Sequence, residues 1–82
     1  MSTVGTNSGL IESIVRAIVD RPEQVKVNPV EGENSVIIEL RVAKEDIGKV
    51  IGKKGRTITA IRTILSATRA QKEKRHVLEV LE

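Results

Sequence analysis

The chain has 82 residues, 39% hydrophobic and 30% charged with a formal net charge of +3, enough for one small domain and no second one. It holds no Cys, one His and no Phe, Tyr or Trp. These absences exclude disulfides, thiolate catalysis and Cys-based or clustered zinc sites, and disfavour nucleic-acid binding on aromatic stacking platforms.

No apolar run approaches the roughly 20 residues that span a bilayer, and Met1–Gly9 lacks the basic and apolar regions of a signal sequence. A cytoplasmic location without membrane contact is therefore expected. The core must be built from Ile, Val, Leu and Ala alone.

In chain order, Met1–Asn7 is small and polar and reads as a disordered tail, which places the tail at 1–8 and the folded domain at 9–82. Ser8 can cap a helix to about Asp20. Its apolar residues Leu10, Ile11, Ile14, Val15, Ile18 and Val19 make one helical stripe. Pro22 disfavours helical geometry at Arg21 and ends the element. Val25 and Val27 alternate with Lys26 and Asn28 as in a strand, and Pro29 puts that strand at a sheet edge, because Pro cannot donate to a ladder. Glu31-Gly32-Glu33-Asn34 reads as the turn of a hairpin.

Ser35–Val42 is the clearest strand. Val36, Ile38, Leu40 and Val42 share one face, and Ile37, Glu39 and Arg41 the other. A short helix is predicted over about Lys44–Val50 and a longer one over about Arg56–Gln71, with Ile58, Ile61, Ile64, Leu65 and Thr68 facing inward. Lys72–Arg75 connects this helix to a last strand, His76–Leu81. The order of helix, two strands, two helices and a strand is an α+β pattern.

Charge is unevenly spread along the chain. Between Lys49 and Arg75 there are nine basic residues against one acid, Glu73, so one part of the domain carries a positive field suited to an anionic polymer. A solvated basic helix face is the plainer reading of the same charge.

Within that region, Gly52-Lys53-Lys54-Gly55 separates the two helical patterns. Glycines three apart permit a tight turn with unusual backbone angles and leave no Cβ in the way of a ligand. The following helix start, with its unpaired N–H groups, favours phosphate. Lys53 and Lys54 project outward, and Ile51 and Ile58 bracket the glycines and should pack inward. This combination fits a phosphodiester backbone lying beside an aliphatic trough.

With its flanking Ile residues, the loop resembles the signature of the KH domain, an Ile-Gly-x-x-Gly-x-x-Ile stretch joining two helices. A helix and strand placed ahead of the core strand resemble the type II arrangement, α-β-β-α-α-β. The stretches Glu39–Ala43 and Glu45–Gly52 are similar to the KhpA family of small single-KH bacterial RNA-binding proteins. Lys44 departs from the Pro common in that family, which concerns only a helix start. The resemblance covers about residues 10–82.

It implies a three-stranded sheet packed on three helices, and single-stranded RNA of about four nucleotides held by the loop. Gly52 and Gly55 would then allow close approach of phosphate, and Lys53 and Lys54 would supply charge. Ile47, Gly48, Ile51, Ile58 and Ile61 would line the groove, with Ile38 and Leu40 from the central strand. Arg56 and Arg62 would contact phosphates or base edges. Gln71–Arg75 would face the groove from its far side. The resemblance further implies an RNA chaperone or post-transcriptional regulator with an indirect link to envelope growth and cell shape. It would act as a homodimer or in a heterocomplex with a larger Jag-like KH protein, without cofactor or small-molecule substrate.

Two other classes compete. One is a protein-interaction or dimerisation module, using Ile37, Val77 and Leu81 on the outer sheet face or aliphatics exposed on the last helix. The other is a nucleotide-using enzyme. Gly48 to Gly52 is one residue short of a Walker loop, a helix rather than a strand precedes the glycines, and His76 has no evident catalytic partner, so no enzyme is expected.

Overall fold

The computed structural model describes residues 3–67 and 74–81. The first helix, α1 (Thr3–Ile18), leads through a single 3-10 turn at Pro22–Gln24 into β1 (Lys26–Glu31) and β2 (Ser35–Arg41). A 3-10 turn at Lys44–Asp46 opens α2 (Ile47–Ile51). The loop at Lys53–Gly55 is followed by α3 (Arg56–Ala67) and β3 (Arg75–Leu81).

The sheet order is β1-β2-β3, with β1 antiparallel and β3 parallel to the central β2. Pro29 thus sits on an edge strand, as its missing N–H requires. The parallel pair needs a crossover, and α2, the loop and α3 provide it. This is the α+β order of a type II KH fold.

Alternation along β2 decides which face of the sheet is covered. Val36, Ile38 and Leu40 are wholly buried and join Leu78 of β3. Against them pack Ile11 and Val15 of α1, Val50 of α2, and Ile58, Ile61 and Leu65 of α3, so all three helices cover one sheet face. The core contains no aromatic ring, and aliphatic packing fills it. On the other face Val30, Ile37 and Val77 form a row across the three strands, since Val30 pairs with Ile37 and Ile37 with Val77. Val30 and Val77 are exposed.

Two expectations need correction. Helix α1 begins at Thr3, so residues 3–8 are helical rather than a disordered tail. Asn7 is wholly buried one turn before Ile11, and burial there outweighs the weak helix propensities of Thr3, Gly5 and Asn7. Ile18 and Ile64 belong to the apolar stripes in sequence but are exposed. A helix stripe wider than its contact line leaves its outermost members in solvent. The expected end of the last helix, with Thr68, and most of the Gln71–Arg75 loop lie outside the described residues.

Candidate nucleic-acid interface

Helix α2 ends because Gly52 leaves helical geometry. Its N–H still donates to the Gly48 carbonyl at 2.8 Å, but its backbone turns to φ 78°, ψ 169°, a region essentially restricted to glycine. Lys54 (φ 58°) and Gly55 (φ 73°) are also left-handed. The polypeptide therefore reverses within four residues, and α3 starts on the far side of a sharp hinge rather than as a continuation of α2.

The two glycines have different reasons to be glycine. A Cβ on Gly52 would fall 2.2 Å from the Thr57 hydroxyl oxygen and 2.9 Å from the Thr57 backbone nitrogen, so that face is filled by the protein itself. A Cβ on Gly55 would meet nothing within 4 Å. Open space for an approaching backbone lies at Gly55. The Gly55 N–H donates to the Gly52 carbonyl at 3.1 Å and the Arg56 N–H to the Lys53 carbonyl, so these two amides are engaged within the turn.

Lys53, Lys54 and Arg56 are exposed, and none forms an ion pair among the described residues. Lys49, one turn earlier, is paired with Asp20 of the α1–β1 connection. Local positive charge free to meet an anion is thus concentrated in the loop and at the start of α3. A loose cationic surface of this kind attracts phosphate mainly through charge, in a salt-dependent way.

The expected groove residues separate into two sets. Ile47 and Ile51 are half-buried and Gly48 is exposed, so α2 offers a partly apolar surface beside the loop. Ile58 (5% exposed), Ile61, Ile38 and Leu40 belong to the core and show no surface on which a base could lie. Their spacing is right for a groove, but packing against α1 and the sheet takes them inward.

Arg62 lies six residues into α3, roughly 9 Å along the helix from Arg56. Its Nη2 donates to the Leu78 carbonyl at 3.4 Å. It lines an open depression of about 500 Å³ between α3 and β3, with Leu65, Ser66, Arg75, His76 and Leu78 among the other lining residues. Arg62 is thus gathered with Arg75 and His76, apart from the loop lysines. Neither ring nitrogen of His76 has a hydrogen-bond partner among the described residues. His76 reads from sequence as a pairing or surface residue. Its place in a depression shared with Arg62 of α3 depends on the parallel return of β3, which no local pattern reveals. Lys74 points elsewhere, donating from Nζ to the Gly32 carbonyl at 2.7 Å.

Comparison with known proteins identifies the family. The family profile described as KhpA/KhpB, KH domain, matches residues 8–80. This chain belongs to the KhpA/KhpB KH-domain family. It is 48% identical over 82 residues to the RNA-binding protein KhpA of Borreliella burgdorferi, covering all of both chains. It is 50% identical over 72 residues to the RNA-binding protein KhpA of Clostridium acetobutylicum, covering 88% of this chain and 96% of that one. With the RNA-binding protein KhpA of Chlamydia pneumoniae the identity is 51% over 69 residues, covering 84% and 88%. No solved structure matches the chain significantly. Membership in the KhpA/KhpB family agrees with the observed strand order. Among the described residues no helix is long and apolar enough to cross a membrane, and no cluster of three or more His, Cys, Asp or Glu is placed to hold a metal ion.

Proposed function

We propose that this chain binds single-stranded RNA, holding about four nucleotides by their backbone at Gly52–Gly55 while bases rest against the half-buried surface of α2. The observation that carries this reading is the left-handed hinge at Gly52, Lys54 and Gly55, which holds two unpaired lysines in solvent beside an open glycine face. Lys53, Lys54 and Arg56 neutralise phosphates, Gly55 admits the backbone, and Ile47, Gly48 and Ile51 flank it. The depression holding Arg62, Arg75 and His76 offers hydrogen-bond donors to a base or phosphate further along the strand.

With few base-specific groups in the loop, binding is sequence-tolerant and weak for a single domain. An RNA chaperone or post-transcriptional regulator acting with a second KH domain follows from that weakness, whether the second domain is another copy or a larger Jag-like protein, because linked weak sites gain avidity. The names of the KhpA relatives support RNA as the ligand.

Salt titration tests the reading. With three or four phosphates neutralised, log affinity for a single-stranded RNA should fall against log salt with a slope of roughly −2 to −3. A flat response would remove the loop and its lysines from the interface.

A protein-docking module is the second reading, favoured by the apolar row of Val30, Ile37 and Val77 on the open sheet face, where Val30 and Val77 are exposed. Val77→Asp separates the two. Loss of self-association with RNA affinity retained would assign that face to protein contact and leave the loop to RNA.

A further inference from the structure

Asp46 is the one buried charged side chain among the described residues, at 1% exposed, and it sits immediately before α2 rather than in the loop. A carboxylate removed from water is unfavourable unless its oxygens are answered. Both are answered by backbone far away in sequence. Oδ1 accepts from the Asp20 N–H at 3.2 Å and Oδ2 from the Arg21 N–H at 3.0 Å, the two residues after Val19 in the connection from α1 to β1.

Two exposed ion pairs flank this contact, Lys49 with Asp20 and Glu45 with Arg21, the latter at 3.8 Å. Exposed pairs of this kind contribute little by themselves. They do show that residues 45–49 and 20–21 face each other along their length. Helix α2 has only five residues, too few to be held by its own hydrogen bonds. Gly52 follows Asp46 by six positions. Whatever fixes the direction of residue 46 therefore fixes the direction in which the hinge presents Lys53 and Lys54.

We propose that Asp46 is a positioning residue: by accepting the Asp20 and Arg21 amides it buttresses α2 against the α1–β1 connection and so aims the glycine hinge. Its consequence for RNA rests on the function proposed above, but the anchoring itself does not. A carboxylate that only stabilised the fold would lower melting temperature and leave the hinge and its ligand untouched.

The test compares Asp46→Ala and Asp46→Asn with Val15→Ala, a core truncation in α1 that leaves the Asp46 carboxylate and the Asp20 and Arg21 amides in place, at a temperature where circular dichroism shows all of them folded. RNA affinity is expected to fall about tenfold in Asp46→Ala and severalfold in Asp46→Asn, while Val15→Ala stays within twofold despite its lower melting temperature. Exchange of the Gly52 and Gly55 amides, which donate to Gly48 and Gly52, should accelerate in the Asp46 variants and not in Val15→Ala, with β2 amides unchanged. If Asp46→Ala does not fold, Asp46→Asn, which keeps shape and one acceptor, carries the comparison. Unchanged Gly52 and Gly55 exchange in the Asp46 variants, or equal losses in Val15→Ala, would overturn the anchor. If the unmodified protein failed to bind RNA, the functional reading would fall, and the exchange measurement would still decide whether Asp46 holds the hinge.

Discussion

The turn between β1 and β2 and the loop between α2 and α3 are both short, exposed and glycine-bearing, yet they are built differently. Gly32 donates its N–H to the Ser35 carbonyl at 2.8 Å, and no residue of that turn is left-handed. Lys74 donates to the Gly32 carbonyl and sits 4.0 Å from Glu31 at the start of this turn. In the other loop three of four residues are left-handed, and both lysines lack an ion-pair partner among the described residues. One turn answers its polar groups within the fold and only joins two strands. The other leaves charge unanswered on a strained backbone, which is the condition in which an outside ligand has something to complete.

The comparison is tested most severely by reversing charge in each place. Lys53→Asp with Lys54→Asp should lower RNA affinity by about two orders of magnitude, roughly 3 kcal/mol for two charge-assisted contacts. Melting should change little, as surface substitutions usually move stability by less than about 0.5 kcal/mol. Glu31→Lys with Glu33→Lys should leave affinity within about threefold. Filter binding or fluorescence anisotropy reads both, and equal RNA affinity in the double Asp variant would reject the loop as the site.

Next in size is the glycine that the protein fills itself. Gly52→Ala places a Cβ against Thr57 in a backbone region closed to other residues, and thermal unfolding should report a loss of about 2–3 kcal/mol. Gly32→Ala meets only the Ser35 carbonyl at 3.2 Å and should lose less than about 1 kcal/mol. Gly55→Leu falls between them in stability, about 1–2 kcal/mol for the left-handed backbone alone. It should also lower RNA affinity roughly tenfold without any change of charge. Normal RNA binding by Gly55→Leu would mean that no phosphodiester backbone approaches this face.

The elements that local periodicity controls were legible before any coordinates. Val36, Ile38 and Leu40 alternate as a half-buried strand and behave as one. The two glycines three apart mark the hinge, and the surrounding charge marks its sign. What stayed hidden depends on contacts between distant parts of the chain. Asp46 looks like an ordinary helix-start acid until the Asp20 and Arg21 amides are brought to it. Arg62 is expected beside Arg56 as an RNA contact, but only the return of β3 beside α3 shows it donating to the Leu78 carbonyl, in a depression with Arg75 and His76. Ile58 and Ile61 have the spacing of groove walls, and only packing against α1 and the sheet shows them to be core. The burial of Asn7, which extends α1 back to Thr3, is of the same kind.

The smallest expected effect is also the most discriminating, because stability and binding should move in opposite directions. Lys54 holds φ 58°, ψ 24°, a left-handed conformation that disfavours a residue with a long side chain by about 1–2 kcal/mol, whereas Asn tolerates it. Lys53, its neighbour with the same charge and similar exposure, is not left-handed. Lys54→Asn should therefore raise stability by about 0.5 kcal/mol, a rise of about 2–4 °C in Tm for a domain of this size. RNA affinity should fall severalfold through the lost charge. Lys53→Asn should lose comparable affinity with no gain in Tm, since no left-handed strain is relieved there. Differential scanning fluorimetry beside anisotropy measures both quantities on the same samples. If Lys54→Asn melts no higher than Lys53→Asn, the left-handed backbone at 54 stores no strain, and the contrast between the two turns reduces to charge alone.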